Sequence, residues 1–297
     1  MSSIKSYAIG NGDMYYIRHD SDNFTIIDCS LSDDREGSIL AELAAQSRYK
    51  GIVRFISTHP DQDHIRGLLE LDDAMSIANF YCVSNYATKT SPTVDFERYC
   101  ALRDSDKAFY LSKGCSRRWM NQSSPERGSA GLNCLWPILG DPDHESALHD
   151  AAAALPPNNI SCIIKYSLNE GASVLWMGDL ETDFMEKIEP KILMPHIDIL
   201  FAPHHGRASG KVPKQWLYEM EPKLIVIGQA PSEYLDYYRG YDIITQNSAG
   251  DLLFDCVLGK VHIYASDHTY VAECLDDEGL DHANGLYYIG SLTCHGD

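Results

Sequence analysis

Ile52-Val-Arg-Phe-Ile56-Ser-Thr-His59-Pro-Asp61-Gln-Asp63-His64 joins a run of β-branched and aromatic residues to a dense group of metal-binding side chains. The first five residues read as a strand. They lead directly into His59, Asp61, Asp63 and His64, and Ile65 to Leu71 then has the composition of a starting helix. The ligands therefore belong on a loop at the carboxyl end of a strand. In an extended loop His59, Asp61 and Asp63 project to one side, because alternate residues share a face, and His64 begins the turn into the helix. Imidazole with carboxylate is a normal donor set for Zn²⁺ and also suits Mn²⁺ or Fe²⁺. Four such groups within six residues exceed the share of one tetrahedral ion once outside ligands join, which points to two metals.

Outward from this cluster, three more potential ligands end expected strands. Asp28 follows Phe24-Thr-Ile-Ile27, Asp179 follows Ser173-Val-Leu-Trp-Met177, and His204 and His205 follow Ile197-Asp-Ile-Leu-Phe201. A carboxylate or imidazole at successive strand ends is what a site along one sheet edge requires.

Further strands are expected at Met14 to Ile17, Ile160 to Tyr166 and Leu224 to Ile227, with two more across 252–265. Asn169-Glu-Gly171 reads as a hairpin turn. Helical composition marks Ser38 to Ser47, Leu180 to Ile188 and Lys214 to Glu219. Strands recur in both halves with helices interleaved, which defines an α/β chain. Two sheets between helices fit this pattern, and so does one mixed sheet. Residues 72–157 are the least legible. They include the mixed-charge stretch around Arg117, Arg118 and Trp119, the expected loop Gly140 to Glu145, and the Ala-rich segment Asp150 to Leu155.

The 297 residues suffice for one large α/β domain or two small ones. The hydrophobic fraction of 44% allows a sizeable core. No run of about 18 apolar residues occurs, so no membrane span is expected, and the N-terminus lacks the apolar stretch of a secretory signal. Nine cysteines without a Cys-x-x-Cys pair argue for reduced thiols and a cytoplasmic protein. A formal charge of -19 repels polyanions, so a general DNase is disfavoured against an enzyme for a small nucleotide, a short single strand, or a substrate delivered by a protein partner.

The order Asp28, His59-x-x-x-Asp63-His64, Gly178-Asp179, then a late His resembles the metallo-β-lactamase-fold hydrolases. Within that superfamily the chain is similar to the hydrolase domain of the bacterial competence DNA-uptake channel and its soluble relatives. Gly10-Asn-Gly-Asp13, Thr58 to Ile65, Asn158/Asn159 with Ser161, Gly178-Asp179 and Pro203-His-His-Gly206 carry the likeness across residues 8–265. The resemblance implies an αββα sandwich of two mixed sheets flanked by helices. It implies a hydrolase domain over 1–265, a variable, substrate-facing insertion at 72–157, and a C-terminal extension, 266–297, packed on the domain.

The resemblance also implies two divalent ions, Zn or Mn. His59 and Asp61 would hold one, Asp63 and His64 the other, and Asp179 would bridge them. His204 would complete the second site, although the residues themselves leave open which of His204 and His205 ligates. Asp28, Asn159 and Ser161 would support the ligands from behind. Asp63 and Asp179 would hold the bridging water, whose lowered pKa makes it the nucleophile, and His205 would contact substrate or act as a general acid. Arg207 and Ser209 are candidates for a phosphate oxygen. Many superfamily members carry His where Asp61 stands, which makes this site harder and favours Mn²⁺. The usual mid-chain His and the His expected after Leu224 to Ile227 are both missing; His144 or His149 is a loose substitute for the former.

The expected function is a metal-dependent phosphodiesterase acting on a nucleotide or nucleic acid. Two alternatives stand beside it: hydrolysis of a lactone, thioester or amide at the same site, and a partner-binding or regulatory module with a degenerate metal site.

Overall fold

Alternation of side chains along the strands builds the core. In the computed structural model, which describes residues 1–297 except 33, 169, 296 and 297, neighbouring strand residues face different apolar layers. Ile27 and Ile56 join one buried cluster with Val174, Trp176, Ile199, Phe201, Leu224 and Val226. Ile26 and Phe55, one position earlier, join another with Ile39 and Leu43 of the Glu36–Ser47 helix and Leu68 and Leu71 of the Leu68–Met75 helix. The first cluster lies between two sheets and the second lies under the helices, as the period of two in a strand requires.

Among the described residues one sheet has nine strands, in the spatial order Tyr287–Thr293, Lys260–Ala265, Leu252–Val257, Ser2–Ser6, Tyr15–Arg18, Asn23–Ile27, Ile52–Ile56, Phe80–Cys82 and Ala108–Tyr110. Its last four strands are mutually parallel and its other neighbours antiparallel. The other sheet has six, in the order Ile243–Thr245, Leu224–Ile227, Ile199–Phe201, Ser173–Trp176, Ile163–Ser167 and Leu132–Trp136. Its first four are parallel and the last two pairings antiparallel. This is the expected αββα sandwich of two mixed sheets, and a single sheet is excluded.

Residues 72–157 supply an outer helix, Val94–Arg103, two strands of the first sheet and the edge strand of the second. The loop expected at Gly140 to Glu145 is instead the start of the Pro142–Ala152 helix, with the Asp141 side chain accepting from the backbone of Asp143 and His144. Of residues 266–297, Tyr287–Thr293 forms the far edge of the nine-stranded sheet. The expected hairpin does pair Ser167 with Ser173, but Asn169 in its turn lies outside the described residues. No helix among the described residues is long and apolar enough to cross a membrane.

The helix expected from Ile65 onward is broken in two. A short helix, Gln62–Ile65, ends where Ile65 and Arg66 form extended bridges with Cys29 and Ser30, and Leu68–Met75 restarts after Gly67. Gly67 adopts φ 81°, which a side chain would resist.

Candidate metal centre

The parallel strands of both sheets end along one edge of the sandwich, and the antiparallel Tyr15–Arg18 strand begins there, since Tyr15 pairs with Ile27. Asp28, Thr58-His59, Asp179 and His204-His205 follow strand ends at this edge, and Asp13 precedes a strand start. Strand pairing thus gathers residues that are far apart in sequence.

Asp13, His64, Asp179 and His205 form a buried group whose ligand atoms all lie within 4.8 Å of one another. His64 Nδ1 lies 2.9 Å from Asp28 Oδ2. A carboxylate only accepts, so Nδ1 carries a proton and Nε2 faces the group. Asp28 is fixed in turn by Thr58, whose backbone N–H donates to Oδ1 at 2.7 Å and whose hydroxyl donates to Oδ2 at 2.6 Å. His205 Nδ1 is 3.1 Å from Asp13 Oδ1, while its Nε2 lies 3.3 Å from Asp63 Oδ2 and 3.4 Å from Asp179 Oδ2.

His64 Nε2 and Asp179 Oδ1 are 3.0 Å apart, yet neither atom has a hydrogen-bond partner. Their separation is close but their directions do not match a hydrogen bond. His205 Nε2 and His59 Nε2 are likewise buried and unpartnered. Leaving such atoms unpaired costs about 1–3 kcal/mol each. Converging lone pairs of imidazole and carboxylate fit a divalent cation, which would satisfy them together.

Electrostatics agree. Burial would lower His64, but Asp179 and Asp28 outweigh it and hold the imidazole well above its usual pKa. Burial likewise opposes charge on His205, and Asp179 and Asp13 outweigh it. Burial would raise Asp179, but His205 and His64 hold it well below the carboxylate range. Asp63 is also brought down, to about 2, because the facing imidazole of His205 and the charge of His64 outweigh its burial. Positive charge at this point is therefore favoured. Burial, with His64 alongside, pushes His59 down to about 3, so its ring is neutral.

The other expected site residues separate by position. Asp61 does not project with His59 and Asp63: it caps the Gln62–Ile65 helix and pairs with Lys89. Asp63 joins His205 and accepts from Asn11 Nδ2 at 3.1 Å. His204 stands at the rim, with Nε2 3.8 Å from Asp179 Oδ2 and Nδ1 3.1 Å from Ser209 Oγ. Burial lowers its pKa. Ser161 Oγ accepts from the Asp179 backbone at 3.1 Å, and Asn159 bonds to Glu181 rather than to the group. Arg207 bonds to Asn11 Oδ1, and its Nε is buried without a partner. His144 packs edge-on against Trp136, and both it and His149 line a separate cavity of about 610 Å³.

Asp13 received no ligand role from the sequence, although Gly10-Asn-Gly-Asp13 stood out as a motif. Its place in the group follows from pairing between the first hairpin's strands. Lys89 carried no signal at all.

No family model matches the chain, and no curated protein matches it. Among solved structures it is similar to the metallo-β-lactamase MIM-1 from Novosphingobium pentaromativorans, with 14% identity, 66% of this chain and 74% of that one covered, and a TM-score of 0.36. It is also similar to the metallo-β-lactamase SMB-1 in complex with mercaptoacetic acid, with 11% identity, coverage of 68% and 79%, and a TM-score of 0.37. The BLEG-1 B3 metallo-β-lactamase gives 18% identity, coverage of 64% and 85%, and a TM-score of 0.35.

Proposed function

We propose that this chain is a metal-dependent hydrolase cleaving phosphodiesters of a nucleotide or a short nucleic-acid strand in a reducing cytoplasm. The observation that carries the hydrolase reading is the convergence of buried, unpartnered atoms from His64, Asp179 and His205 beside Asp13. A divalent cation bound there supplies Lewis acidity that weakens the scissile bond and makes water a stronger nucleophile near neutral pH.

The chain's own residues divide the remaining work. Asp28 and Asp13 orient His64 and His205 through their Nδ1 atoms. Asp63, ionised and partly accessible, orients the attacking water. His204, neutral at the rim, donates a hydrogen bond from Nε2 to the leaving-group oxygen, which takes its proton from water. The Arg207 guanidinium, held by Asn11 beside Asp63, supplies positive charge for an anionic oxygen. A carboxylate-rich donor set and a nearby guanidinium favour a phosphodiester over a neutral ester.

One feature favours the second reading, an ester or lactone with an apolar arm. The 610 Å³ cavity is lined by Tyr86, Tyr110 and Leu139 and sits beyond the strands ending at Cys82 and Tyr110, at the same sheet edge. A panel of bis-p-nitrophenyl phosphate, p-nitrophenyl acetate and a lactone, each with Mn²⁺ or Zn²⁺ after chelation, separates the two. Diester turnover that disappears in Asp179→Ala is the expected result. Turnover of acetate or lactone alone moves the assignment to the second reading. Absence of bound metal, with no activity lost in Asp179→Ala, leaves only a partner-binding module.

A further inference from the structure

Asp61 sits where a second metal ligand would be expected, and a lysine already holds it. Its carboxylate pairs with Lys89 Nζ and also accepts the Gln62 backbone N–H at 2.9 Å. Among the described residues the only converging group of ligand atoms is Asp13, His64, Asp179 and His205, so neither His59 nor Asp61 belongs to one. His59, with its ring 4.2 Å from that of His64, can serve the same cation and does not call for another.

Lys89 is not a free surface lysine. The preceding Thr88 is bound through its backbone N–H to Ala151 and through its hydroxyl to Ala152, at 3.0 and 2.9 Å. Four residues on, Thr93 donates to Gln62 Oε1 at 2.7 Å, and Gln62 Nε2 donates to Asp95 at 3.2 Å. The segment carrying Lys89 is thereby tied to the helix that carries Asp63 and His64. Nζ also lies 5.7 Å from the centre of the Phe96 ring. The side chains of Lys89 and Asp61 are 24% and 35% exposed, and the charge of Asp61 reaches the buried ring of His59, so the pair is open to solvent on the side of the ligand group that His59 occupies.

We propose that the site holds one divalent cation and that the ammonium of Lys89 stands in for a second, binding an anionic oxygen of the substrate. This rests on the metal-dependent reading above. A fixed cation already compensates Asp61, and a metal ion there would meet like-charge repulsion at close range. An ammonium is a strongly hydrated point charge with three donors, and Asp61 uses only part of that capacity.

The test measures metal content and phosphate binding rather than turnover. Wild type, Asp61→Asn, Lys89→Met and Lys89→Arg are saturated with Mn²⁺, freed of excess metal and assayed by elemental analysis. Inorganic phosphate is then titrated into each by calorimetry. One equivalent of Mn²⁺ is expected in wild type and in Asp61→Asn. Phosphate affinity should fall about tenfold in Lys89→Met, the scale of one lost charge-assisted hydrogen bond, and be largely restored in Lys89→Arg. Two equivalents in wild type, or loss of metal in Asp61→Asn, overturns the single-cation site. Unchanged phosphate affinity in Lys89→Met overturns the role of the ammonium. No metal in any variant overturns both this inference and the hydrolase reading beneath it, which two equivalents would leave intact.

Discussion

Asp28 has its own backbone at φ 56° and its side chain fully buried, gripping His64 on one side and Thr58 on the other. An amide in its place keeps the shape but must point its N–H₂ at a hydroxyl, a backbone N–H or an imidazole N–H, all of which donate here. Asp28→Asn should therefore weaken metal binding roughly 10–100-fold while leaving the stoichiometry unchanged at saturation. Competition against a chromophoric chelator measures this, and an unchanged affinity would reduce Asp28 to a loop support. Asp28 and Asp179 stood out in sequence because each closely follows a strand, Asp28 at once and Asp179 after Met177-Gly178. The choice between His204 and His205 was not legible, because consecutive positive φ values of 53° and 56° send one ring to the rim and the other inward. Adjacent left-handed residues of this kind are strained, and strain of this sort gathers at functional sites.

Long, regular elements such as Ile52–Ile56 and Glu36–Ser47 could be read from composition and period. Phe80–Cys82 and Ala108–Tyr110 could not, because three residues are too few to show a period. The Pro142–Ala152 helix did carry a signal, Asp141 followed by Pro142, which is a cap and a first-turn proline. The loops that connect elements at the site pack closely on one another. Gly178, with φ 52°, passes so close to its neighbours that a Cβ would lie 2.6 Å from Ser161 Oγ and 2.9 Å from Thr58 Cβ. Gly178→Ala should destabilise the chain by about 2–3 kcal/mol through overpacking and the left-handed backbone. Urea denaturation reads this directly, and a loss below about 0.5 kcal/mol would mean that the two loops separate easily.

For the whole molecule, acid sensitivity should arise partly from a group away from the edge that gathers His64 and His205. Burial, together with Arg54 and Lys50, holds His19 well below its usual pKa, and its Nε2 lies 2.9 Å from Thr25 Oγ1. The folded chain keeps this ring neutral while the unfolded chain protonates it near pH 6.5. The unfolded state thus binds more protons below that value, so this contribution falls as pH drops. His64 and His205 work in the opposite sense in metal-free protein, because their folded pKa values are raised and their contribution is lost as pH rises. Comparing wild type with His19→Gln isolates the first effect. Between pH 7 and 5 the variant should lose less stability than wild type, measured by urea midpoints, and parallel curves would contradict a neutral buried His19. The net charge of -19 acts at this scale too, drawing divalent cations toward the protein and slowing the approach of long polyanions.

The four converging side chains are shared evenly between the sheets. Asp13 and His64 lie on connections between strands of the nine-stranded sheet, His64 in the short Gln62–Ile65 helix, and Asp179 and His205 on connections of the six-stranded one. An ion held by all four would act as a rivet through both layers, so prying the layers apart would open the site before either sheet lost its own ladder. The chemistry would then be the most fragile property of the molecule, and a chelator would loosen the seam between the layers without unravelling either one.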